Sequence, residues 1–211
     1  GGYPTRISKY LGTADTIGYQ TYPIPSEPLS TLTSAYLNPI INDFAATGQP
    51  LISNLQTFGW YGTYRFPTPT ETRNMTYQAL AAGVQGILYY TYFDGDTDLS
   101  NQPALWSELQ LIGAELTALE PYLVSGTHQR LNTDVSELYA AKWRVGSKLV
   151  VVVINASSTS NKTLALTLND NLSGTRRNLF AYRSNLLSLS GKTLSGTLPP
   201  ESVQVYELGL L

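Results

Sequence analysis

From Asp15 to about Pro121, short apolar runs alternate with stretches of helical period. That alternation is the signature of β-α units on a parallel sheet, and three units are readable. The first strand, Thr16 to Tyr22, passes through Pro23-Ile24-Pro25 into a helical stretch from about Ser30 to Thr47. Pro39 lies inside that stretch; lacking an N–H and clashing one turn back, it predicts a kink, or a restart with Asn38 as cap. The second strand, Leu51 to Phe58, runs into the aromatic loop Gly59-Trp60-Tyr61-Gly62-Thr63-Tyr64-Arg65-Phe66. A well-marked helix start follows: Thr68 can cap, Pro69 suits the first helical position, and the Glu71 carboxylate can reach back to the cap amide. This helix should run to about Gly83. The third strand, Gly86 to Tyr92, precedes Asp94-Gly95-Asp96-Thr97-Asp98 and a helix whose Leu105, Leu109, Ile112, Leu116 and Leu119 draw one apolar stripe, ending at Pro121.

After about Gly126 the texture becomes strands separated by Gly, Asn, Ser and Thr: Leu138 to Arg144, Leu149 to Ile154, Thr163 to Leu168, Leu179 to Arg183 and Val203 to Leu208. Val150 to Ile154 is apolar on both faces and predicts a central strand, whereas Leu164, Leu166 and Leu168 alternate with polar residues and predict a strand with one buried face. The expected class is therefore α/β plus all-β. A partial (β/α) barrel of about three units occupies residues 1–124, and a small antiparallel β-sandwich residues 125–211, joined near Val124 to Asp134. A closed (β/α)8 barrel takes about 250 residues, roughly twice what this region offers. Either the barrel is incomplete or another chain completes it, and open edges at Thr16–Tyr22 and Gly86–Tyr92 need cover.

Composition narrows the partners. Of the 211 residues 42% are hydrophobic, enough for a sizeable core, but only 13% are charged, with a net charge of −2. The few scattered Lys and Arg give no electrostatic footprint for nucleic acid or an anionic membrane, and neutral polar partners fit better. No apolar run approaches the roughly 20 residues needed to span a bilayer. The chain opens Gly1-Gly2-Tyr3-Pro4 and its single Met is Met75, so it is expected to be a processed form, a fragment or part of something longer. It has no Cys, which excludes disulfides and thiolate metal sites. Sequons at Asn74, Asn155, Asn161 and Asn171 nominate glycosylation sites and lean toward a secreted, extracellular location.

The run from Tyr64 to Met75, continued by Tyr77 to Gly83 and Gly86 to Tyr92, resembles the last barrel units of (β/α)8 glycoside-hydrolase-like proteins. Asp15 to Tyr19 and Thr21 to Pro25 resemble an earlier strand of such barrels, and Leu198 to Glu207 the closing strand of the β-sandwich that often follows them. The resemblance covers about Asp15 to Leu208 and implies the C-terminal part of a carbohydrate-active or carbohydrate-binding protein. It also implies an acid/base carboxylate after the fourth strand and a nucleophilic Glu after the seventh. The strand matching the seventh carries Gln56, and the fourth is absent, so the chain is not expected to hydrolyse glycosides alone.

Among the remaining carboxylates at strand ends, Glu27 with Asp94 is the one pairing worth weighing, against solvated or capping turn residues. Asp94, Asp96 and Asp98 alternate as in the first half of an EF-hand loop and nominate a Ca²⁺ site, although Leu99 and Leu105 stand where that loop needs Gly and Glu. Tyr19, Tyr22, Trp60, Tyr61, Tyr64, Phe66, Tyr90 and Tyr92 fall where a barrel mouth would be rimmed. Flat rings there can stack on sugars while Gln56 and Arg65 supply hydrogen bonds, the alternative being plain packing. The lone His128 has no partners for a zinc cluster and is expected to make an interdomain or surface hydrogen bond. The rival to a carbohydrate-binding protein is a glycosylated structural subunit of an extracellular fibre or sheath, self-associating through the open sheet. A third reading is a hydrolase whose missing strands lie on a companion chain.

Overall fold

A computed structural model describes residues 7–62 and 64–211. The chain divides into two compact units at Ile112/Gly113, inside the third long helix and upstream of the join expected at 124/125.

The first unit is built on a parallel sheet of order β1-β2-β3, with β1 Ile17–Thr21, β2 Leu51–Gln56 and β3 Gly86–Tyr90. Ile17 lies beside Leu51, and Ile52 beside Gly86, so alternate residues of the three strands share a face. Tyr19, Leu51 and Leu55 point into a core with Leu29, Leu32, Leu37, Ile40, Phe44, Met75 and Ala79 from the helical side. The opposite face carries Gln20, Asn54 and Leu88 in one row, and is open: Leu88 is 57% exposed.

Helix α1 (Asn38–Thr47) does not restart at Asn38 as the sequence suggested. A π-helical segment, Leu32–Leu37, runs straight into it, Asn38 is itself helical, and its N–H donates to the Thr33 carbonyl five residues back. The wider turn absorbs the N–H missing from Pro39. Helix α2 (Pro69–Ala82) begins with the expected capping box: Glu71 N–H donates to Thr68 Oγ1 and Thr68 N–H to Glu71 Oε2. It ends at Gly83, whose φ of 103° suits a residue without Cβ. From Glu71 to Ala82 every side chain of α2 is buried, polar ones included. They are satisfied internally: Gln78 donates to Leu29 O and Asn74 Oδ1 and accepts from Thr33, while Thr76 bonds Thr72 O and the Tyr89 hydroxyl.

Helix α3 (Pro103–Ser125) crosses the unit boundary and passes through Pro121 instead of ending there. Proline removes one backbone bond, but the helix is held on both sides of it. Tyr122 donates its hydroxyl to Glu207, buried Glu115 pairs with Arg183 at 2.7 Å, and Gly126 N–H closes on Tyr122 O. A Cβ at Gly126 would lie 2.3 Å from that carbonyl, so only glycine fits.

The second unit holds two antiparallel sheets. One has order β4-β5-β6-β11-β8 (β4 Thr127–Leu131, β5 Leu138–Val145, β6 Lys148–Asn155, β8 Leu172–Asn178, β11 Val203–Leu210). The other has order β7-β10-β9 (β7 Lys162–Thr167, β9 Ser188–Ser190, β10 Thr193–Leu198). Leu149, Val151, Val153, Tyr206 and Leu208 of the first meet Leu164, Leu166, Leu194 and Leu198 of the second in one core. β6 is the central strand expected, with Leu149 to Asn155 buried. The strand expected at Leu179 to Arg183 is a turn, closed by Arg183 N–H to Phe180 O at 2.9 Å. The strand lies just before it, in β8, a polar edge strand whose place is set by backbone pairing to β11 and not by an apolar face.

Candidate functional site

The three strands of the first unit end on one side, where the loops after a parallel sheet gather. Tyr22 follows β1, Phe58, Gly59, Trp60 and Tyr61 follow β2, and Tyr90, Asp94, Asp96 and Thr97 belong to the end of β3 and its loop. With Gln20 they line a cleft of about 600 Å³. The rings form a connected cluster. Phe58 is edge-on to Tyr22 (5.0 Å between centroids), Trp60 (4.8 Å) and Tyr90 (5.6 Å), and Tyr61 leans on Trp60 at 6.1 Å. Edge-to-face contacts of this kind stabilise by about 0.5–1.5 kcal/mol each beyond area burial, and hold ring faces at fixed angles.

Polar contacts orient the cluster. Asn54 Nδ2 donates to the Tyr22 hydroxyl at 3.1 Å, and that hydroxyl donates to Gln20 Oε1 at 3.2 Å. Burial, with Tyr90 nearby, pushes the Tyr22 phenol up to about 12, so it remains a donor. A hydrogen bond to the Asp94 carboxylate raises the Tyr90 phenol too. Asp94 Oδ1 also accepts from the Thr97 and Asp96 amides at 2.8 and 3.2 Å, which folds the loop over one corner of the cleft.

Gln56 does not face a ligand. It is fully buried, its Nε2 donates to the carbonyls of Ile24 (2.8 Å) and Phe58 (3.0 Å), and its Oε1 accepts from Ile24 N–H at 3.0 Å. The side chain thereby ties the loop after β1 to the loop after β2, and acts on the cleft only through its walls. Arg65 is likewise committed: its guanidinium meets Glu71 with two 2.7 Å bonds and donates to Phe66 O. Burial alone would raise the Glu71 carboxyl, but hydrogen bonds from Arg65 and Thr68 outweigh it and hold the group below its usual range. Tyr64 and Tyr92 are exposed outside the lining, Tyr92 resting edge-on against Trp106 at 5.5 Å. Tyr19 faces the helical core, with burial raising its phenol to about 12.

Of Glu27 and Asp94, Asp94 lines the cleft, whereas Glu27 is not among its lining residues and accepts from Tyr36 at 2.7 Å. The Ca²⁺ reading is corrected too. Among the described residues no group of three or more His, Asp or Glu side chains converges to hold a metal. Asp98 instead caps the short helical turn Leu99–Asn101, accepting from Ser100 N–H and Oγ at 2.9 and 2.6 Å, while Asp94 closes its own turn. His128 lies in β4, its ring 5.0 Å from that of its cross-strand neighbour Trp143.

The sequons divide. Asn74 and Asn155 are fully buried; Asn155 donates to the carbonyls of Ser160, Leu198 and Pro199 and accepts from Ser157 N–H, leaving no room for a glycan in the folded chain. Asn161 and Asn171 are exposed. Sequence reasoning missed Gln20 and Phe58 as wall residues, Phe58 having been read as the end of a strand. It also missed why Gly59 must be glycine: a Cβ there would lie 2.2 Å from Tyr64 O, so the aromatic loop could not fold back on itself.

No family model matches the chain, and no curated protein matches it. Solved structures do. An alpha-amylase from Geobacillus thermoleovorans, complexed with acarbose, superposes with TM-score 0.62 at 19% identity, covering 99% of this chain and 51% of the enzyme. A GH51 arabinofuranosidase from Xanthomonas axonopodis pv. citri matches with TM-score 0.58 at 11% identity over 96% of this chain and 54% of its own. A GH30 endoxylanase from Clostridium papyrosolvens matches with TM-score 0.52, 11% identity, and 92% and 49% coverage. The chain thus has the fold of part of a glycoside hydrolase, and spans about half the length of the structures it matches. No helix among the described residues is long and apolar enough to cross a membrane.

Proposed function

We propose that this chain is part of a glycoside-hydrolase-like, extracellular protein, its parallel sheet a segment of a (β/α) barrel and its two antiparallel sheets the accompanying β-sandwich. Its cleft binds carbohydrate. The observation that carries the reading is the cleft itself, walled by Tyr22, Phe58, Trp60, Tyr61 and Tyr90 at the C-terminal ends of three parallel strands. The fold shared with enzymes that act on polysaccharides supports it. Hydrolysis requires two carboxylates about 5 to 9.5 Å apart, and we assign that work to strands outside this chain, because the Gln56 position offers an amide and, of Glu27 and Asp94, only Asp94 lines the cleft.

Titration calorimetry against soluble neutral glucans and xylans tests the binding. Trp60→Ala should weaken binding by about tenfold, the loss of one stacking face. Binding that is unchanged in Trp60→Ala, or undetectable with every saccharide offered, overturns the proposal.

A second reading has its own support. Among the described residues β1 and β3 are unpaired sheet edges, and the face bearing Leu88 and Tyr90 is open. On that reading the chain is a structural subunit whose copies pair edge to edge in an extracellular assembly. Native mass spectrometry separates the two: a ladder of identical copies favours the subunit, and a single larger, different polypeptide favours a companion completing the barrel.

A further inference from the structure

We propose that the saccharide taken by this cleft carries protonated amino groups, so that the preferred ligand is an amino-sugar polymer and not a neutral or acidic one. The proposal rests on the carbohydrate reading above and adds the ligand's charge.

Three observations carry it. First, the cleft lining contains two carboxylates, Asp94 and Asp96, and among the described residues no Lys, Arg or His. The one guanidinium on the neighbouring loop, that of Arg65, is neutralised by the bidentate contact with Glu71. Second, the two aspartates are differently placed. Asp94 is held by the Thr97 and Asp96 amides and by Tyr90, whereas the Asp96 carboxylate has no hydrogen-bond or ion-pair partner among the described residues and stands exposed in the wall. A ligand ammonium could meet Asp96 without displacing a protein contact. Third, the remaining wall is aromatic apart from Gln20, Gly59 and Thr97, with Trp60 and Tyr61 partly or well exposed. An aromatic face is negative at its centre and attracts an ammonium group as well as stacking on a pyranose ring. Anionic sugars would face two like charges with no compensating cation, so they are disfavoured by the same geometry.

The test compares oligosaccharides of equal length: glucosamine oligomers, their N-acetylated counterparts, gluco-oligomers and galacturonate oligomers. Dissociation constants are measured by calorimetry at about pH 5.5, where the amine is protonated, and about pH 9, where it is largely neutral. The expected result is that glucosamine oligomers bind about tenfold tighter than the N-acetylated ones at the lower pH, and that the gap closes at the higher pH. Asp96→Asn should remove most of the gap between charged and neutral oligomers, and galacturonate should bind weakest. Equal binding of charged and neutral oligomers overturns this inference but leaves the carbohydrate reading standing. A preference that survives in Asp96→Asn and in the Asp94→Asn/Asp96→Asn double variant also overturns it, since a diffuse net charge would then suffice. Failure of every oligomer to bind overturns both.

Discussion

Replacing Gln56 by Glu would restore a carboxylate at the strand position where the resemblance calls for a nucleophile, and the structure says what that carboxylate would do instead. The Gln56 amide has no exposure and gives both its protons to carbonyls, those of Ile24 and Phe58. A protonated Glu can donate only once, so at about pH 4 the variant should lose one buried hydrogen bond, about 1 kcal/mol. An ionised Glu would aim negative charge at two carbonyl oxygens without water. Its folded pKa must therefore rise above the unfolded value of about 4.3, and a rise of about 3 units corresponds to roughly 4 kcal/mol. The sign follows from that order. The extra penalty is absent below the unfolded pKa, grows by about 1.4 kcal/mol per pH unit above it, and levels off past the folded pKa. Urea unfolding of the first unit, followed through tryptophan emission, should show a variant about 1 kcal/mol less stable than the parent at about pH 4 and roughly 4 kcal/mol less stable at about pH 7. Gln56→Leu supplies the control: it strands Ile24 N–H and two carbonyls, costing roughly 3 kcal/mol with no pH dependence. Equal losses for Gln56→Glu at both pH values would refute the argument that this side chain is a buried clip between two loops.

Two further predictions concern the helix start and the sequons. Thr68→Ala should cost about 1 kcal/mol, measured by the same unfolding experiment, because it removes one half of the capping box on α2. The Glu71 carboxyl is held below its usual range, so its contribution is present above the ordinary glutamate pKa of about 4.3 and is lost as pH falls through the depressed value; Glu71→Gln should flatten that acid limb. For chain secreted from a glycosylating host, peptide mass mapping should find glycan on exposed Asn161 and Asn171 and none on buried Asn74 and Asn155. Full occupancy at Asn155, whose amide makes four hydrogen bonds with the backbone, would contradict the packing around β6.

What the sequence determined by itself was local. Period-two and period-3.6 patterning located β1, β2, β3, β5, β6, β7 and β11 within a residue or two, and the Thr68-Pro69-Glu71 signature marked the α2 start, because those features depend on neighbours one turn or one strand away. The two open edges of the parallel sheet also followed from counting β-α units. Tertiary structure decided the rest. Pro121 failed to stop α3 because the helix is held on both sides of it, Glu115 before it by Arg183 and Tyr122 after it by Glu207 of β11, and β8 formed without an apolar face because β11 offered its edge. Gln56 and Arg65 had the chemistry of ligand-binding groups, but their partners, Ile24 and Glu71, used their donors first. A polar side chain serves a ligand only if folding leaves it without a better-placed protein partner, and that competition is settled by three-dimensional proximity, which periodicity does not carry.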